Sequence, residues 1–302
     1  MHKVKNFGSL TQLGVLVSLG IVWGTGYSIA RYCMTHGVPP LGYSFWQSLG
    51  PALVLTCLCF CKTKAISVKP QALLYYLFCG IVGISLPNSI MYFGAAHLPS
   101  SILVILVNTV PLMIYPLSLI SKQEYFSFAR VSALGLGIIG ILIVIGHNHP
   151  LPRLNNIPWT LIVLLSPICF ASCAVFINPL QPKGMSALHS ATGMLIASSI
   201  VLLPVLLHES AFFKLGFNLV SLLIISEIAL SSLGYILFFQ LIKIAGPVYY
   251  SLVAGVVTIT GLFWGYTIFA EKLSMFDYIG AALIFIGIIA LSLLQKRSAE
   301  SY

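Results

Sequence analysis

The 302-residue chain is 59% hydrophobic and only 7% charged, with a formal net charge of +9. A soluble domain carries about 25% charged residues, so this chain lacks the polar surface a water-soluble fold needs. Its basic residues stand singly at the ends of apolar runs, which excludes a nucleic-acid-binding face and fits positive loops on the cytoplasmic side of a membrane.

Apolar stretches of about 20 residues span a bilayer as helices, and here they recur almost back to back. The first, Leu13 to Met34, is too long for a signal-peptide core and lacks a small-residue cleavage site, so it reads as a span. In chain order the predicted helices are 11–34, 41–60, 71–95, 100–121 and 128–146, then 158–177, 187–207, 221–243, 248–270 and 276–295. The connection from His147 to Ile157 divides them into two sets of five. The expected fold is therefore an all-α integral membrane protein of ten transmembrane helices.

With a cytoplasmic N-terminus, eleven of the 15 basic residues fall on the inside, including Lys62, Lys122, Lys183 and Lys243. Arg31, Arg153, Lys214 and Lys272 remain outside. The positive-inside bias thus places both termini in the cytoplasm.

The two halves read as copies offset by 147 residues, so that Trp23 meets Phe170, Pro111 meets Thr258, Glu124 meets Glu271 and Gly140 meets Gly287. Glu124-Tyr-Phe-Ser and Glu271-Lys-Leu-Ser each lead into a Gly-rich helix. An odd number of helices per copy makes the second enter from the opposite side. The expected domains are thus inverted five-helix repeats at 11–146 and 158–295, with a substrate site between them near the midplane.

These residues resemble the drug/metabolite transporter superfamily in its bacterial EamA-type branch, over about residues 11–295. The resemblance rests on Trp23-Gly24 in helix 1, the Leu98-Pro99 step after helix 3, Pro111 thirteen residues before Glu124, and the ending from Glu271-Lys-Leu-Ser through Gly280 to Gly287. In helix 9 Thr258 stands where the family carries Pro, and the second-half Pro, Pro247, is shifted by one place. The resemblance implies a central cavity, alternating access, a location in the bacterial inner membrane, and substrates such as amino acids, other small metabolites or amphiphilic drugs. It implies no enzymatic reaction and no cofactor.

Glu227 is the acidic residue placed well inside a predicted helix, about 9 Å from its start at a rise of about 1.5 Å per residue. A charge there is costly and belongs in the bundle interior or a wet cavity. Glu227 is read either as a proton carrier or counter-charge, or as half of a structural ion pair with Arg31. Tyr235 lies on the Glu227 helix with Ser231, Gly234 and Phe238. Trp23, Tyr27 and Arg31 share one face of helix 1 by i, i+4 spacing. Arg31 is able to grip a substrate carboxylate with its planar fork, and an amino-acid zwitterion would suit it together with Glu227. Asn88 and Tyr92 share a face of helix 3. Asn108 lies a turn before Pro111, which removes a backbone donor and frees a carbonyl. These residues and Thr258 are the expected substrate-binding set, with Pro111 and Gly24 as structural members.

The seven cysteines lie mostly in apolar runs, and Cys57, Cys59 and Cys61 point apart on a helix, so no metal site is expected. The expected function is secondary transport of small metabolites, by export or exchange, of amino acids or related amphiphiles. The expected partners are the substrate, the lipid bilayer and a candidate coupling proton, with no nucleic acid and a monomeric or homodimeric state. Import of a nucleoside-like metabolite such as S-adenosylmethionine is the alternative within transport. An intramembrane lipid-modifying enzyme is the alternative from another class, and it would need several convergent acidic, His or Cys residues where the sequence offers Glu227.

Overall fold

The computed structural model describes residues 9–62, 66–107, 109–122, 125–147, 156–250, 253–271 and 274–300. The described residues form helices and no strand. A bilayer offers the backbone no hydrogen-bonding partners, so each crossing segment must satisfy its own amides as a helix.

The first half contains α1 (Ser9–Thr35), α2 (Pro40–Lys62), α3 (Pro70–Gly80), a π-helical turn (Ile81–Ser85), α4 (Leu86–Ala95), α5 (Ser100–Val107), α6 (Val110–Ile120) and α7 (Phe128–His147). The second contains α8 (Asn156–Val163), α9 (Leu165–Leu180), α10 (Ala187–His208), α11 (Leu219–Tyr250), α12 (Val253–Phe269) and α13 (Met275–Glu300). Among the described residues seven helical spans are long and apolar enough to cross a membrane, and three shorter apolar helices accompany them.

Three expected helices are interrupted, each for a local reason. The third carries the π turn, in which the Leu86 amide bonds to the Ile81 carbonyl. Pro87 follows immediately and has no amide to give, so the widened turn takes up the mismatch. The fourth breaks at Thr109, whose hydroxyl donates to the Leu106 carbonyl at 2.7 Å. Pro111 then sits in the first turn of α6, where an absent amide costs nothing. The sixth breaks at Leu164, between α8 and α9. In the opposite direction, α11 runs on through Gly246-Pro247 to Tyr250, past its expected end at 243.

Close helix approach depends on small residues. α7 packs most extensively on α13. A Cβ on Gly140 would lie 2.6 Å from the Gly280 carbonyl oxygen, and one on Gly287 would lie 2.8 Å from that of Ala133. α1 meets α12 in the same way: a Cβ on Gly20 would fall on Val256, and one on Gly24 on Thr260 and the Val257 carbonyl. Gly24 thus sits where α1 and α12 approach closely. Serines join α2, the π turn and α10: Ser198 Oγ lies 2.8 Å from both Ser48 Oγ and Ser85 Oγ.

Candidate functional site

A cavity of about 150 Å³ opens between helices of both halves. An apolar cavity of that size accommodates a benzene-sized molecule. Trp23, Asn88 and Tyr92 enter it from the first half, and Phe170, Glu227 and Tyr235 from the second.

Glu227 is held at the contact of α1, α2 and α11. Its Oε1 accepts a hydrogen bond from Ser231 Oγ at 3.0 Å, one turn along the same helix. Ser231 Oγ also lies 3.2 Å from Gln47 Oε1 on α2, while Gln47 Nε2 has no partner. Turning the Gln47 amide end for end is chemically equivalent in shape, and it makes a directional chain in which Gln47 Nε2 donates to Ser231 and Ser231 donates to Glu227. The absence of a side chain at Gly26 makes room for the carboxyl group, since a Cβ there would lie 2.6 Å from Glu227 Oε1. Glu227 Oε2 is buried and accepts no hydrogen bond from the described residues.

Aromatic rings surround the rest of the space. Trp23 packs against Phe238 at a centroid distance of 5.6 Å and meets Tyr250 edge-on at 6.1 Å. Phe238 and Tyr250 are themselves 5.0 Å apart. Tyr92 makes an edge contact with the fully buried Tyr43, and Tyr235 meets the Asn88 side chain.

Arg31 does not join this group. Its Nε lies 3.6 Å from Glu271 Oε1, its Nη1 donates to the carbonyls of Ala95 and Leu98, and it sits over the Phe269 ring. Glu271 in turn accepts from the amide and hydroxyl of Ser100, at 2.9 and 3.0 Å, and so caps α5 from a distant part of the chain. One polar junction thereby ties α1, the start of α5 and the end of α12 at one end of the bundle.

The sequence model of the EamA-like transporter family matches residues 11–146 and again residues 157–293. The chain belongs to that family. Among its relatives, the "Uncharacterized transporter YoaV" of Bacillus subtilis (strain 168) is 22% identical, over 92% of this chain and 94% of the relative. An "Uncharacterized transporter" of Archaeoglobus fulgidus is 20% identical, over 88% and 93%. A solved crystal structure, 14% identical, superposes with a TM-score of 0.67 over 96% of this chain and 99% of the other, which supports the fold alone. The family and the relatives' names indicate a multi-pass membrane transporter rather than an enzyme.

Within this EamA-like fold, Trp23, Tyr27, Asn88, Tyr92, Glu227 and Tyr235 converge on the cavity as the sequence suggests. Pro111 lines it too, but as the start of α6 and not as a kink inside a helix. Thr258 is buried on α12, yet its hydroxyl donates to the Ala254 carbonyl of its own helix, and its neighbours Ala254 and Val257 are the residues that face the cavity. Arg31 turns to Glu271, so of the readings offered for Glu227 the structural pair with Arg31 is not the one the side chains form. Trp264 donates to Thr25 Oγ1 at 3.0 Å and packs α12 on α1. Asn108 and Glu124 lie outside the described residues.

Sequence reasoning missed Gly26 and Gln47. Gln47 was legible as one of three polar residues, with Ser44 and Ser48, on one stripe of a span. Gly26 carries no such signal.

Proposed function

We propose that the chain is a secondary transporter of small amphiphilic metabolites in the bacterial inner membrane, working by alternating access between inverted five-helix repeats at 11–146 and 158–295. The observation that carries this reading is the cavity lined by both halves, with a buried carboxyl group at Glu227 among aromatic rings. The family match to each half separately supports the repeat. If both termini are cytoplasmic, Tyr250 and Val253 are lining residues toward the inner side and the Arg31–Glu271–Ser100 junction lies at the outer end of the bundle. That placement supports an inward-facing reading, in which the substrate enters or leaves on the cytoplasmic side.

The amino-acid form of this reading required a cation next to Glu227 to hold the substrate carboxylate. Arg31 is engaged elsewhere, so the geometry favours the amphiphilic members of the substrate class. Glu227 is also the candidate proton carrier for coupling. Counterflow in proteoliposomes, on compounds chosen by thermal shift, tests the proposal. Saturable exchange that Glu227→Gln uncouples from the pH gradient is the expected result. Passive leakage indistinguishable from protein-free vesicles refutes it.

A further inference from the structure

We infer that the cavity takes an organic monocation, an aromatic or aliphatic amphiphile ending in an ammonium group, rather than a zwitterion or an anion. This rests on the transport reading only for its biological setting, because the argument concerns binding.

Among the described residues that line the cavity, Glu227 is the sole charged or acidic side chain, and no Lys, Arg or His accompanies it. An isolated carboxyl group in such a place either holds a proton or pairs with a cation. Its Oε1 has Ser231, but its Oε2 is buried and accepts from none of the described residues. The groups near the carboxylate on the neighbouring helices are Cys33 of α1, Tyr43 of α2 and Tyr92 of α4, with Tyr235 on its own helix; none of them is cationic. The nearest candidate cation by sequence, Arg31, is held by Glu271 and by two backbone carbonyls. The missing partner is therefore supplied by the ligand.

The surrounding surface fits the same ligand. Trp23, Phe238 and Tyr250 form a ring cluster. Aromatic faces attract cations and also accept the apolar body of an amphiphile. A substrate carboxylate, by contrast, would face Glu227 with nothing to neutralise it, and like charges in a low-dielectric site repel strongly. Specificity for charge thus comes from repulsion of the wrong ligand as much as from attraction of the right one.

The test uses four compounds that share one phenyl ring: phenethylamine, protonated at neutral pH; 2-phenylethanol, neutral; phenylalanine, zwitterionic; and phenylacetate, anionic. Each is titrated against the purified protein in detergent, with intrinsic tryptophan fluorescence and calorimetry as readouts. The ammonium should bind at least about tenfold more tightly than the alcohol, and the anion should not bind. Glu227→Gln should remove the preference for the ammonium over the alcohol. Equal affinity for ammonium and alcohol, tighter binding of phenylalanine, or no binding of the ammonium overturns the inference. The comparison on the unmodified protein decides the matter even where the variant fails to fold. Counterflow separates the two claims: an ammonium that binds selectively but is not exchanged removes the transport reading and leaves the cation site. Exchange of phenylalanine without ammonium binding does the reverse.

Discussion

Substituting Gly26 by Ala places a methyl group against the carboxyl of Glu227. The new carbon would lie 2.6 Å from Oε1, about 0.8 Å inside the 3.4 Å at which ordinary contact begins. The helices are poorly able to separate and relieve this, because α1 and α11 already touch closely where Gly234 faces Trp23, with 2.8 Å between a Cβ built there and Trp23 Nε1. The carboxylate, at the end of a flexible side chain, moves instead and gives up its alignment with Ser231. A hydrogen bond to a charged group contributes about 1.5–3 kcal/mol, so a displaced carboxylate should weaken binding of phenethylamine roughly tenfold to hundredfold. Fluorescence titration reads the affinity, and thermal melting in detergent reads the fold. Gly24→Ala is the control. Its methyl would strike Thr260 and the Val257 carbonyl at the α1–α12 contact, so it should lower melting temperature and leave affinity largely intact. Wild-type affinity in Gly26→Ala with unchanged melting would show that Glu227 does not hold the ligand.

Other expectations are independent of that one. Tyr27→Ala should weaken ligand binding with yield and melting near wild type, because Tyr27 faces the cavity; a folding loss with unchanged affinity would return Tyr27 to packing. Arg31→Gln should lower the melting temperature, because it removes the partly buried pair with Glu271 and the bonds to the Ala95 and Leu98 carbonyls, while Glu271 keeps its two bonds to Ser100; unchanged melting would count against the junction. Gly140→Ala should cost about 1–3 kcal/mol through overpacking of α7 on α13, read as a lower melting temperature with normal ligand affinity. Reporter fusions at Gln295 should be active only with a cytoplasmic tag and those at Asn148 only with a periplasmic one; the opposite pattern would overturn the orientation, and both fusions on one side would overturn the inverted repeat.

The helical membrane class was legible because composition and the length of apolar runs are set by the bilayer itself. Helix ends were legible where punctuation is strong: the expected 187–207 helix is observed as Ala187–His208. The interruptions at 81–85, 109 and 164 were not, since apolar periodicity does not distinguish one continuous span from two stacked pieces. Glu227 stood out because a carboxylate inside a span has few physical explanations, and its helix face carried Ser231 and Tyr235 with it. The partner of Arg31 was left open for a definite reason. Depth in the membrane narrows the possible partners of a charge but does not select between Glu227 and Glu271, which come from different helices. The choice depends on rotation about the helix axis, which single-sequence spacing fixes within one helix but not between two.

The π turn gives the third span two independent faces. Before it, Tyr76 and Gly80 are directed at α10, where a Cβ on Gly80 would meet the Met194 carbonyl and the Ser198 amide. After it, Asn88 and Tyr92 are directed at the cavity. A helix advances about 100° per residue, so a turn with one residue more than the α-helical repeat re-phases everything that follows it. Were Ile81–Ser85 wound as ordinary α-helix with the same number of residues, the span would still cross the membrane and its composition would be unchanged. α4 would nevertheless swing by about a quarter of a revolution, carrying Asn88 and Tyr92 off the cavity wall while α3 kept its grip on α10; deleting one residue along with the π turn would cancel that swing. The wide backbone ring closed by Ile81 and Leu86 acts as a phase shifter, and through it one residue's worth of chain decides which side chains of α4 the ligand meets.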